Sequence, residues 1–133
     1  VLREADFFGD RNRVQVEKWN SEPLERVART IHDVIEETTS RAPHEQAVCS
    51  WDGSLTYQEL REHASRVAGH LIELDVRAEV VVPLCFDKSK WNVVAMLSVL
   101  QAGACFLPLD PAAPKERLQH LLHAVDAKVL LCS

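Results

Sequence analysis

Apolar residues at 24, 27, 28, 31, 34 and 35 (Leu24, Val27, Ala28, Ile31, Val34, Ile35) recur every three or four positions. That spacing lines one face of a helix. The helix must stop before Pro43, because the residue ahead of a proline avoids helical angles. Residues 47–51 and 54–57 then flank Asp52-Gly53, a turn pair that predicts a β-hairpin. Thr56-Tyr57-Gln58-Glu59 has the spacing of a capping box. It opens a helix whose apolar face is Leu60, Ala64, Val67, Ala68, Leu71 and Leu74.

Residues 79–86 form a nearly continuous apolar run, as in a strand covered on both sides. Pro83 within it predicts an edge position or an irregularity. Asp87 is placed to cap a helix over about 88–102, and Gly103 to end it. Cys105-Phe106-Leu107 predicts a short buried strand, and residues 110–114 a proline-stiffened loop. Pro114 suits the first turn of a helix that runs to about Val125. Residues 128–132 supply the last strand. The alternation of helix and strand after the hairpin predicts an α/β fold with mostly parallel strands. Residues 1–22 lack a clear period and read as a connecting segment along a neighbour's surface. Phe7-Phe8-Gly9 is its apolar spot, and Trp19-Asn20 its anchor.

Composition narrows the picture. The 133 residues are 47% hydrophobic and 26% charged, with net charge −5 and pI about 5.6. Such a chain has no general pull toward nucleic acid. The longest apolar stretch, 91–109, is broken by Asn92, Ser98, Gln101, Gly103 and Pro108, so it reads as helix then strand rather than a membrane span. Cys49, Cys85, Cys105 and Cys132 form no C-x-x-C pair and lie in or beside apolar runs. They are expected as four separate buried thiols in a reducing, cytoplasmic setting. The chain opens on Val1, without a signal-peptide pattern, and closes on an apolar strand pattern. The expectation is a piece of a longer polypeptide.

Two segments go beyond fold class. Residues 55–60 read L-T-Y-Q-E-L, and residues 100–110 read L-Q-A-G-A-C-F-L-P-L-D. They resemble, in order and separation, the first two core motifs of nonribosomal peptide synthetase adenylation domains, members of the acyl-adenylate-forming superfamily. Residues 83–91 resemble the stretch between those motifs in fungal synthetases. Residues 110–118 resemble the loop and helix after the second motif. Trp19-Asn20 with Ile31-His32-Asp33 resembles the entry from a condensation-to-adenylation linker.

The resemblance implies the N-terminal part of the family's large subdomain, with residues 1–22 as linker from a preceding condensation domain and 23–133 as an incomplete adenylation domain. The complete domain would use ATP and magnesium to convert an amino acid to aminoacyl-AMP and pyrophosphate. It would then load the phosphopantetheine thiol of a carrier domain. The family's phosphate loop, substrate pocket, ribose-binding acid and catalytic lysine match no residue here, so no catalytic, cofactor or metal residue is assigned. The piece alone is expected to be inactive. A truncated remnant that links synthetase domains without catalysis is the alternative.

The remaining polar candidates have structural readings. Lys88, Ser89 and Lys90 open a helix, where anions can bind, but no glycine-rich approach accompanies them. His120 and His123 share a helix face without further metal ligands. Glu59 completes the capping box, Tyr57 belongs to the same motif, and Asp110 leads the proline turn. Trp51 and Trp91 are expected to pack.

Overall fold

The computed structural model describes residues 9–21, 23 and 27–133. Leu24 and Phe7-Phe8 fall outside them. The weakly periodic start forms helix α1, Asp10–Ser21, which buries no residue. Trp19 is exposed there. Helix α2, Ile31–Arg41, starts later than its apolar stripe suggests. The Thr30 hydroxyl accepts from the Asp33 N–H at 3.3 Å, and the Asp33 carboxylate accepts from the Thr30 N–H at 3.2 Å. This box closes the helix at Thr30 and leaves Val27 and Ala28 outside it.

Strands β1, Gln46–Ser50, and β2, Gly53–Thr56, pair antiparallel as the Asp52-Gly53 turn predicts. Helix α3, Tyr57–Glu73, follows at once. Its expected face holds at Leu60, Ala64, Ala68 and Leu71, but Leu74 is exposed. Leu74 is the C-cap, and the chain reverses at Asp75 to bury Val76 instead.

Strands β3 (Val81–Cys85), β4 (Cys105–Leu109) and β5 (Leu131–Cys132) form a parallel sheet in the order β4-β3-β5. Helices α4, Lys90–Gln101, and α5, Lys115–Ala124, make the crossovers. Pro83 therefore sits in the central strand, not at an edge. The Val80 carbonyl accepts from Cys105 N–H. Alternation along the strand then aims Val82 and Leu84 at β4 and residue 83 at β5. The β5 ladder begins only at Leu84↔Leu131, so the missing N–H of Pro83 breaks no ladder bond.

Strand β4 flanks the sheet, which leaves Cys105 exposed and Phe106 and Leu107 half-buried rather than buried. Cys49 and Cys132 are also exposed and Cys85 is half-buried, which corrects the expectation of four buried thiols. The main core joins Leu71 and Val76 to Val82, Leu84, Ala95 and Val99. A second cluster, Leu55, Leu60, Ala64, Val94 and Leu97, ties the hairpin to α3 and α4.

Candidate functional site

The connection from β3 to β4 runs one way across the sheet, and the connection from β4 to β5 runs back over β3. Right-handed crossovers in opposite directions place their helices on opposite faces. The loops after β3 and β4 thus diverge at the carboxyl ends of adjacent strands. Open α/β sheets bind ligands at such switch points. An open crevice of about 750 Å³ lies there. Phe86, Asp87, Lys88 and Asn92 line one wall, and residues 108–112 line the other. One Asp110 oxygen accepts from the Ala112 N–H at 2.9 Å and holds the second wall in its turn.

The first wall is fixed from far away. Asp87 does not cap α4. Ser89 occupies the N-cap position without a side-chain cap bond. Asp52, in the hairpin turn, accepts from the Lys90 N–H at 3.1 Å instead. Trp51 donates its indole N–H to the Lys88 carbonyl at 2.6 Å. Trp51 is otherwise 82% exposed, so it is a tether rather than a packing residue. Gly53 completes the clasp. Its φ is +123°, and a Cβ there would lie 3.1 Å from the Lys90 ammonium. Partial burial pushes the Asp52 carboxyl up, but the Lys90 N–H, the Ser50 hydroxyl and the Lys90 ammonium outweigh it. The group is held below the ordinary carboxylate range.

The clasp separates the three polar residues that open α4. Lys88 lines the crevice. Lys90 lies against the hairpin turn and 5.4 Å from the Trp91 ring centroid. The Ser89 hydroxyl is buried without a partner. Trp91 packs edge-on to His63 of α3 at 5.2 Å, as its expected packing role requires. It also lines an apolar cavity of about 320 Å³ with Val67, Phe86, Val94, Ala95 and Leu131.

Tyr57 and Glu59 serve the start of α3. Tyr57 and Gln58 donate backbone N–H groups to the Glu45 and Pro43 carbonyls at 3.0 and 2.9 Å. Glu59 accepts from Thr56 N–H at 2.9 Å, and Thr56 Oγ1 accepts from Glu59 N–H at 3.2 Å. Those Thr56 donors hold the Glu59 carboxyl below its ordinary range. His120 and His123 are exposed on α5. Among the described residues no group of three or more His, Cys, Asp or Glu could hold a metal ion.

The crevice therefore gathers one ammonium, two carboxylates and an amide between its walls. It has no glycine-rich cradle for phosphate, and a protein carboxylate already sits at the α4 N-terminus. These residues line the crevice where the two loops part. Sequence reading missed Asp52, Phe86 and Asn92 as parts of this site. Only the Asp-Gly turn signal touched the first, and nothing local links it to a helix start so far along the chain.

Residues 35–133 match the AMP-binding enzyme family. The chain is 48% identical over 133 residues to nonribosomal peptide synthetase nlsA of Emericella nidulans, covering 100% of this chain and 2% of that protein. It is 47% identical over 124 residues to nonribosomal peptide synthetase 4 of Gibberella zeae, covering 93% and 2%. The chain thus spans about 2% of the length of these two relatives. It superposes on the crystal structure of the nonribosomal peptide synthetase FmoA3 in its α-methyl-L-serine-AMP-bound form with TM-score 0.83 and 29% identity, covering 97% of this chain and 15% of that one. No helix among the described residues is long and apolar enough to cross a membrane. The motifs, the fold and these matches agree: the chain belongs to the AMP-binding enzyme family and corresponds to the N-terminal portion of a fungal-type nonribosomal peptide synthetase adenylation domain.

Proposed function

We propose that this chain is the framework portion of an adenylation domain that activates an amino acid with ATP as aminoacyl-AMP and passes the acyl group to a carrier-domain phosphopantetheine thiol. The observation that carries the reading is the second motif. Residues 100–110 close α4, form β4 and enter the wall of the switch-point crevice, in a chain 48% identical throughout to a synthetase. The motif's residues serve the architecture here. Gly103, at φ +78°, ends the helix, Phe106 and Leu107 feed the sheet, and Asp110 fixes the loop.

The parts that react with ATP, magnesium and the amino acid belong, on this reading, to other segments of the complete domain. Residues 1–22 serve as linker from a condensation domain and 23–133 as adenylation-domain framework. Setting is cytoplasmic, beside the carrier and condensation domains.

ATP–pyrophosphate exchange by the full synthetase module that contains this chain tests the reading. Exchange dependent on at least one amino acid is expected, with none from the 133-residue chain alone. No exchange by the module with any amino acid would overturn it.

A further inference from the structure

Cys85 and Cys132 lie far apart in sequence, yet β3 and β5 place them as direct partners in the parallel ladder. Registered residues on neighbouring strands project from the same face. Their Cα atoms are then about 4.8 Å apart, inside the span of roughly 4.4–6.8 Å that a disulfide bridges. The other two thiols have no such relation. Cys105 pairs with Val81 at the opposite end of the sheet, roughly 13 Å along β3 from Cys85. Cys49 lies in the hairpin and pairs with Ser54.

We propose that Cys85 and Cys132 are a vicinal dithiol that peroxide closes to a reversible disulfide, tying β5 to β3 at the carboxyl end of the sheet. Exposure sets the order of events. Cys132 is exposed and meets the oxidant; Cys85 is half-buried beside it. The Cys132 thiolate attacks one peroxide oxygen, the O–O bond breaks, and water leaves with the thiol proton, giving a sulfenic acid. The Cys85 sulfur attacks the Cys132 sulfur, the S–O bond breaks, and a second water carries off the Cys85 proton. Two thiols and one hydrogen peroxide become one disulfide and two waters. The parallel register sets the two residues side by side, Leu84↔Leu131 and Cys85↔Cys132. With Cys132 at the surface, the bridge stays open to thiol reductants, as a responsive pair requires.

The test uses the full chain. Dilute protein is treated with one equivalent of hydrogen peroxide, alkylated, digested without reductant and analysed by mass spectrometry. The expected product is one intramolecular peptide pair joining Cys85 to Cys132, with Cys49 and Cys105 alkylated. Dithiothreitol before alkylation should abolish the link. Cys105→Ser and Cys49→Ser should leave its yield unchanged within twofold, and Cys132→Ser should remove it. Recovery of Cys85 and Cys132 as separate alkylated or over-oxidised residues would overturn the proposal. So would equal linking of Cys85 to Cys105 or Cys49, which would mark random collision.

Discussion

Helices α3 and α4 pack against each other and share the core, but they are begun in different ways. The start of α3 has its side-chain cap from its own residues. Thr56 and Glu59 exchange hydrogen bonds, and the preceding segment supplies the Glu45 and Pro43 carbonyls. The start of α4 has no local cap, and a carboxylate from a hairpin turn reaches it across the fold. Their ends reverse the contrast. Both end with the paired bonds of a Schellman motif, Val76 to Leu71 with Asp75 to Ile72, and Ala104 to Val99 with Gly103 to Leu100. In α4 the left-handed residue is Gly103, which suits it; in α3 it is Asp75, at φ 62°. Thus α3 is locally encoded at its start and strained at its end, and α4 the opposite. A helix that depends on a distant cap also ties two parts of the chain together. Here that tie fixes the crevice wall.

The core sets the scale against which caps are judged. Leu71 touches the packing of both helices and is 2% exposed. Leu71→Ala should cost about 2–5 kcal/mol in urea unfolding. A smaller loss than from any cap change would break the comparison by making the caps, not the shared core, the main support. Thr56→Ala comes next, at about 1 kcal/mol. Its hydrogen-exchange effect should stay at the first turn of α3. Asp52→Ala should instead speed exchange at Lys90 and in the hairpin while leaving the first turn of α3 protected. Spread of either effect to the other helix start would erase the distinction between them.

The helix ends give a smaller pair. Gly103→Asp should cost about 1 kcal/mol, and Asp75→Gly should gain up to about 1 kcal/mol, both read from urea midpoints. Equal and opposite signs sharpen the contrast; two losses would show that the Asp75 side chain contributes more than its backbone strain costs.

Acid is the mildest probe. Asp33, Asp52 and Glu59 are all held below their ordinary range, so in that range the unfolded chain binds more protons than the folded one. Their stabilisation is complete above the unfolded carboxylate values and is lost as pH falls through the folded ones. Stability should therefore decline on acidification within and below the ordinary carboxylate range. Asp52→Asn and Glu59→Gln should each flatten part of that slope, the first at α4 and the second at α3. An unchanged slope in both would contradict the assigned partners.

What the sequence revealed follows the same division. The Thr56 box, the hairpin, the face of α3 and the Gly103 stop are written in residues a few positions apart, and the order of motifs placed the chain in its family. The Thr30–Asp33 box was legible in principle, but the apolar stripe running through Val27 and Ala28 masked it. Asp52 reaching Lys90, Trp51 tethered while exposed, Pro83 at the sheet centre and the pairing of Cys85 with Cys132 depend on which strands become neighbours. No local spacing carries that information. The crevice is of this second kind too, because it exists only where two loops part at a topological switch.

The clasp at α4 and the assignment of the chemistry elsewhere meet in one experiment. Magnesium–ATP is titrated into the isotopically labelled chain while backbone amide resonances are followed. With Asp52 on the Lys90 N–H and no phosphate cradle in the crevice, residues 87–92 and 110–112 should show no saturable shift. Saturable, magnesium-dependent shifts at those amides would contradict the account, by showing that the start of α4 is open to phosphate and that this chain holds part of the nucleotide site.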